Sequence, residues 1–520
     1  MHPEVRLAIV RMSSNFFRLG LQLCLGLVVV RAILFQIGDE GWSLIALLGT
    51  GMGLAGLFQE AIRGSIVREI SLAYHNSSDL IFRQTYNSAF FISLLAAFLS
   101  TLVFWVVVFM LPMTGVSGNL LITARWFALA IALQMFVLIT LAPLHNMYLV
   151  KEQFVQANAL NLMDRASMMV GVTVIFYIDT TVDNKLLIYA WATTAFCIFA
   201  YLITCAHLVF KDSRLLPNPR LITRARIQSI SSISGWNMVV AISDGLHIRA
   251  DHWLICLLMS FDPWSALFGY GRQLAGYIFQ IGVGVASGVE VVATRMVATG
   301  DGSSLRKLIH HSTRVHGMVA FPALVLVFLL AEPSIHLWVG GLMENPITNI
   351  PRATLFAQIL AFGFTAKAIS HGWIRIFYGA GYVKDYAPIL LVAGIANPII
   401  SVILFLIFPD SIKFLCVACS YSFLFISSTM VGVPSRIMPK LNLRLLDLYH
   451  PLVRPFVLSV ICAPILVIGC YYVQDWQLSK LILVATSYCG VYGILSWQYT
   501  LESSERDQIK EYILMSIKRH

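Results

Sequence analysis

LLIYAWATTAFCIFAYLITCAHLVFKDSRLLPNPRLITRAR, residues 186–226, carries the whole architecture in one reading. Its first part, Leu186 to Val209, contains no Asp, Glu, Lys or Arg. As a helix it is long enough to cross about 30 Å of hydrocarbon. The sixteen residues from Lys211 to Arg226 hold five basic side chains and two prolines and lose the apolar pattern. They read as a solvated connection. Working outward, thirteen more apolar stretches obey the same rule, giving spans near 14–35, 42–65, 85–111, 125–147, 160–178, 186–209, 231–258, 264–293, 315–330, 354–378, 387–408, 412–433, 452–472 and 481–497. The runs are continuous, whereas a membrane barrel needs alternating segments of about ten residues. The 520 residues are 58% hydrophobic and 12% charged, against about 25% charged in soluble domains. The expected fold is an all-α integral membrane protein of about fourteen transmembrane helices.

Basic residues orient it. Of the 36 Lys and Arg, 26 lie in or beside the N-terminus, the even-numbered connections and the C-terminus. Five (Arg31, Lys185, Arg352, Lys413 and Lys480) fall at the opposite ends, and five (Arg125, Arg249, Arg272, Lys367 and Arg375) lie within spans or at their ends. The positive-inside rule then puts both termini in the cytoplasm of a multi-pass inner or plasma membrane protein. The net charge of +10 comes from the same bias, so the partner it implies is anionic membrane lipid and not nucleic acid. The opening MHPEVRLAIVR is polar and basic, and no cleavable leader is expected. All nine cysteines, Cys416 and Cys419 included, fall in apolar spans and read as packing residues. No metal site and no cofactor are expected.

The linker divides the chain into a six-helix lobe at 1–210, a basic connection at 211–229, a second six-helix lobe at 230–435, two further helices at 436–500 and a cytoplasmic tail at 501–520. The lobes share a weak internal repeat. Trp42-Ser43, Leu54-Ala55-Gly56 and Phe58-Gln59 match Trp264-Ser265, Leu274-Ala275-Gly276 and Phe279-Gln280, and Arg31-Ala32 matches Arg249-Ala250, at offsets of 218 to 222 residues. An even number of helices separates the copies, which makes the repeat parallel, as in transporters built from two pseudo-symmetric bundles around a central cavity. The longest external loop, residues 331–353, holds Leu337-Trp338-Val339-Gly340-Gly341 and three prolines but no catalytic constellation, which counts against an enzyme.

Ionisable residues at membrane depth cost at least about 2.5 kcal/mol and therefore mark candidate sites. Asp244, His247 and Asp251 are spaced i, i+3, i+7 on one helical stripe of the seventh span, with Arg249 well round the helix. They are the candidates for a coupling proton or cation. Lys367, His371 and Arg375 form a cationic stripe at i, i+4, i+8 of the tenth span, and Arg272 adds a charge in the eighth. An Arg and Lys cluster suits an anionic ligand, because guanidinium binds phosphate as a bidentate fork. The alternative is a structural ion pair such as Asp244 with Arg272. Arg18, Arg31, Arg63 and Arg165 lie near interfaces and read as snorkelling side chains. Trp236, Trp253, Phe364 and Trp373 read either as stacking faces for sugars or as helix packing.

The stretch 247–296, HIRADHWLICLLMSFDPWSALFGYGRQLAGYIFQIGVGVASGVEVVATRM, with ATGDGSSLRKLIHHSTR and LWVGG beyond it, resembles the second-lobe signature of the polysaccharide flippase family. The turns HNMYLVKEQFVQANALN after span four and FYGAGYVKDYAPILLVAGIANPII after span ten resemble it too. That family includes the O-antigen flippases and belongs to the multidrug/oligosaccharidyl-lipid/polysaccharide (MOP) exporter superfamily. The resemblance covers most of the first twelve helices through diffuse motifs. It implies a two-lobed V-shaped bundle that moves a polyprenyl-pyrophosphate-linked oligosaccharide between leaflets by alternating access, for surface polysaccharide such as lipopolysaccharide. It also implies that Arg249, Arg272 and Lys367 receive the pyrophosphate or acidic sugars, to which the stripe adds His371 and Arg375. Glycan polymerase or ligase machinery would be a partner. The two extra C-terminal helices match lipid II flippases in number. Drug antiporters of the superfamily use acidic cavity residues, and the first-half spans here carry only Glu60 and Asp164, both near the cytoplasm. A drug or cation antiporter and, behind it, an integral-membrane glycan polymerase or ligase stay open as alternatives. The linker between spans six and seven is expected to let the lobes rock.

Overall fold

A glycine turns the first helix into two crossings. The computed structural model describes residues 3–76, 78–285, 289–298, 302–473, 476–502 and 506–507. Helix α1 (Pro3–Ala55) is continuous except at Gly38, whose φ of 70° and ψ of −176° break the turn between the spans expected at 14–35 and 42–65. Only glycine holds such a conformation without strain.

The chain continues through α2 (Leu57–Asn76), α3 (Asp79–Phe109), α4 (Gly118–Thr140), α5 (Ala142–Val150), α6 (Phe154–Phe176) and α7 (Val182–Lys211). Then come α8 (Arg224–Asp244), α9 (Ala250–Met259), α10 (Trp264–Val285), α11 (Val289–Ala298), α12 (Gly302–Ile335), α13 (Pro346–Gly379) and α14 (Val383–Ile407). Helices α15 (Cys416–Phe425), α16 (Val433–Ile437), α17 (Leu445–Tyr472) and α18 (Leu478–Tyr499) complete it, and no strand occurs among the described residues. Eleven described helical stretches are individually long and apolar enough to cross a membrane. The other expected crossings are the second, which shares α1 with the first, the seventh, which a π turn divides into α8 and α9, and the eighth, α10 with α11. Residues 286–288 of that eighth span, and the tail from 508 on, lie outside the described residues.

The chain folds as two compact units. One comprises Met1–Tyr270, Leu342–Asn349 and Val383–Leu424, the other Gly271–Gly341, Ile350–Tyr382 and Phe425–His520. The first is centred on Ile66, Phe82, Tyr86, Met147, Leu208 and Leu215. The second has a cluster in which Leu330 of α12 meets Cys462 and Leu466 of α17 and Tyr488 and Tyr492 of α18. The Tyr488 hydroxyl donates to the Ser459 carbonyl at 3.2 Å and Tyr492 to the Met318 carbonyl at 3.0 Å, so both buried phenols are satisfied. Outward faces are apolar. On α14, Val392, Ile395, Ile399, Ile403 and Leu406 recur at helical spacing and are exposed, an arrangement that suits lipid and not water.

The basic connection is ordered over residues 212–223, which are strapped to helices of the first unit. Leu215 is fully buried in that unit's core. Arg214 pairs with Asp212 at 2.8 Å and Asp79 at 3.1 Å and lies over the rings of Phe82 and Tyr74. Asn218 N–H donates to Asn87 Oδ1 and Thr223 N–H to Ser88 Oγ on α3. Its two prolines do not make it a slack tether.

Candidate functional site

Within the first unit, the polar centre is built on a break in a helix. Between α8 and α9 the ladder opens into a π turn, Gly245–Arg249, and Gly245 sits against Leu57 with no room for a Cβ. Such turns free backbone groups and recur at functional sites. His247 Nε2 donates to the Tyr421 carbonyl at 3.1 Å, and its ring meets the Tyr421 ring edge-on. Asn397 of α14 donates from Nδ2 to Asp251 Oδ1 at 2.5 Å and to the His247 carbonyl at 3.4 Å. Ser420 of α15 donates to Asn397 Oδ1 at 2.8 Å. His247, Asp251, Asn397 and Ser420 are all buried. The network brings His247 and Asp251 together through Asn397, a residue the sequence reading missed. The available signal was Asn397-Pro398 beside Gly394 in an otherwise apolar run. Gly394 lets α14 approach α8 so closely that a Cβ would lie 2.9 Å from the Ser243 carbonyl.

Asp244 is not part of this network. It is half-buried, ends α8 and has no hydrogen bond or ion pair among the described residues. The π turn explains the separation: an inserted residue rotates the helix before it by about 100° relative to the helix after it. Arg249 leaves the turn in another direction. Its Nη2 meets Glu60 Oε1 at 2.6 Å and its Nη1 donates to the Gly53 carbonyl, where α1 gives way to α2 at Gly56.

In the second unit two of the three stripe residues meet at one ring. Lys367 Nζ lies 4.4 Å from the Phe279 centroid and 5.4 Å from that of Phe425, and His371 packs edge-on against Phe279 at 5.4 Å. Phe279 of α10 thus serves both side chains on α13. Arg375 is 45% exposed, with Nη1 3.9 Å from Glu290 Oε1, a loose pair that leaves its charge largely open. Arg272 is half-buried on α10. Sequence reading also missed His316, which is buried on α12. Its Nδ1 donates to the Ser312 carbonyl at 2.7 Å, its Nε2 has no hydrogen-bond partner among the described residues, and Gly372 of α13 packs directly on the ring. Of the four candidate stacking aromatics, Trp253, Phe364 and Trp373 are buried in packing and Trp236 is about half exposed.

No family model matches the chain, and no curated protein matches it in sequence. Its fold is similar to solved structures. An inward-facing conformation of a multidrug resistance MATE family transporter of the MOP superfamily aligns with a TM-score of 0.66 at 12% identity, over 84% of this chain and 99% of that one. An outward-facing conformation of such a transporter aligns at 0.59 with 13% identity over 84% and 96% of the two chains. The eukaryotic MATE transporter AtDTX14 aligns at 0.57 with 13% identity over 86% and 100%. The chain therefore has the multi-pass MATE-like fold, and identity this low carries the fold alone.

Proposed function

We propose that the chain is an alternating-access transporter of the cytoplasmic membrane that flips a polyprenyl-pyrophosphate-linked oligosaccharide for surface polysaccharide biosynthesis, as an O-antigen flippase does. The observation that carries the anionic cargo is the stripe Lys367, His371 and Arg375, two of whose members share the Phe279 ring at membrane depth. The Lys367 and Arg375 cations suit a pyrophosphate, and Arg249 and Arg272 are groups of the same chemistry. The same fold has been solved in inward-facing and outward-facing conformations, which supports alternating access. Cargo would shift that equilibrium only through different affinity for the two states. Asp244, His247 and Asp251 are the groups for a coupling proton or cation. Membrane lipid and the polymerase or ligase machinery that handles the same glycan are the partners this reading implies, with both termini in the cytoplasm.

The test is depletion of the protein in cells that make lipid-linked oligosaccharide. Accumulation on the cytoplasmic leaflet, rescued by wild type and not by Arg272→Ala with Lys367→Ala, is expected. Rescue by the variants removes the site assignment, and absence of accumulation removes the function. One observation favours a drug or cation antiporter: Asp244, a half-buried carboxylate with no ion pair among the described residues, suits a cation. Efflux of a cationic dye that Asp244→Asn abolishes would establish that reading instead. A lipid II cargo is the variant of the flippase reading that α17 and α18 bring in, and the headgroup of the accumulating lipid separates the two.

A further inference from the structure

Arg249 is held by two partners of unequal firmness, both within the first unit. Helix α1 ends at Ala55, the turn passes through Gly56, and the Gly53 carbonyl in that last turn accepts from Nη1. A cation at a helix C-terminus is favoured by the exposed carbonyls there. The seat is shaped for it: a Cβ on Gly53 would come within 2.5 Å of Nη1 and 2.9 Å of Cδ. This partner is backbone and stays in place. The other is the Glu60 carboxylate, 2.6 Å from Nη2, on a side chain that is 52% exposed while Arg249 is 28% exposed. An exposed pair of this kind contributes little net stability, so the carboxylate swings away easily. The guanidinium, which stays charged, then needs another anion. A phosphate group matches its fork at least as well as a carboxylate does.

We infer that Glu60 is a displaceable counter-anion, and that an anionic phosphate group of the cargo takes its place on Arg249 while the Gly53 carbonyl keeps the guanidinium in position. The inference rests on the anionic-cargo reading and deepens it by naming a residue that sets specificity. A neutral or cationic cargo cannot replace the carboxylate, and Arg249 stays closed to it. Glu60 is thereby removed from the acidic residues available to hold a cationic cargo.

The experiment measures binding of farnesyl pyrophosphate, inorganic pyrophosphate and uncharged farnesol to the purified full-length protein in detergent, for wild type, Glu60→Gln, Glu60→Asp and Arg249→Ala. Glu60→Gln removes the competitor and is expected to tighten farnesyl pyrophosphate about threefold or more, the scale of an exposed ion pair. Glu60→Asp keeps the charge and is expected to stay within twofold of wild type. Arg249→Ala is expected to weaken binding about tenfold, the scale of one charge-assisted hydrogen bond. A merely structural role for Glu60 predicts weaker binding in both Glu60 variants, and Glu60→Ala serves as the neutral variant if Gln does not fold. Equal tightening of inorganic pyrophosphate supports the exchange with free phosphate as its source; tightening of the farnesyl compound alone supports it with a lipid headgroup. Pyrophosphate binding in wild type that Glu60→Gln leaves unchanged or weakens overturns this inference only. No pyrophosphate binding by any form overturns it together with the anionic-cargo reading.

Discussion

Replacing Asp212 by Asn should loosen the strap between α7 and α8, and three groups set the size of the effect. The carboxylate accepts from Arg214 Nε at 2.8 Å, from Arg214 Nη2 at 2.9 Å and from Lys151 Nζ at 3.3 Å. The Arg214 hydrogen bonds, with help from Lys151 and against some desolvation, hold the carboxyl at about 2, below its ordinary 3.8. A depression of nearly two pH units corresponds to about 2.5 kcal/mol without screening, and water at this face reduces it to about 1 kcal/mol. A depressed carboxyl contributes fully above its unfolded value and loses that contribution as pH falls through its folded one. The stabilisation is therefore whole at pH 7 and pH 5 and fades only below about 4. Loss of about 1 kcal/mol raises the population of the opened strap about fivefold. Limited trypsin digestion reads that population at Lys211, Arg214 and Arg220, provided cleavage is slow relative to reclosing. Asp212→Asn should be cut about five times faster than wild type at pH 7, and the wild-type rate, corrected for trypsin's own pH dependence, should be the same at pH 6 and 7. Cleavage within twofold of wild type would refute the argument that this carboxylate fastens the connection.

Gly394→Ala puts a Cβ 2.9 Å from the Ser243 carbonyl oxygen and 3.1 Å from its Cα, and because backbone cannot swing aside the cost is about 1–3 kcal/mol; an unchanged thermal midpoint would show that α8 and α14 are not pressed together there. Asn397→Ala takes away a donor to buried Asp251, while Ser420 keeps the Asn397 backbone carbonyl at 2.9 Å as an acceptor, and is expected to cost about 2–3 kcal/mol and lower the thermal midpoint well beyond Ser420→Ala, which loses one donor. Equal effects of the two would remove Asn397 from the centre of the network. Tyr492→Phe loses one hydrogen bond to Met318 and about 1 kcal/mol, and a neutral outcome would mean the α18 contact is apolar packing alone.

Span positions were legible because hydrocarbon imposes one length and one composition on every crossing, so the runs at 85–111, 186–209 and 354–378 end within two residues of α3, α7 and α13, although those helices begin at Asp79, Val182 and Pro346, ahead of the apolar runs. The break between α7 and α8 was legible, but not the ordered strap that fills it. Proline and basic residues mark where a helix cannot continue, but whether the segment is held depends on distant acceptors, here Asn87 and Ser88 on α3 and a core that takes Leu215. Sequence spacing contains no information about those partners.

The site was legible in proportion to charge. Lys367 and His371 stand one helical turn apart in an unbroken helix, so their expected alignment survives folding, and a common contact on Phe279 results from it. Asp244, His247 and Asp251 fit the same rule equally well on paper, but the rule assumes 3.6 residues per turn throughout. The π turn at Gly245–Arg249 falls inside the triplet, so Asp244 is set apart while His247 and Asp251 remain joined. The residues that complete their network are neutral: Asn397 and Ser420 carry no charge to attract attention in an apolar span, and their value comes from satisfying Asp251 where water is absent. The polar stripe thus divides into Asp251, a carboxylate fixed in a buried network, and Asp244, a half-buried carboxylate at the break with no hydrogen bond or ion pair among the described residues.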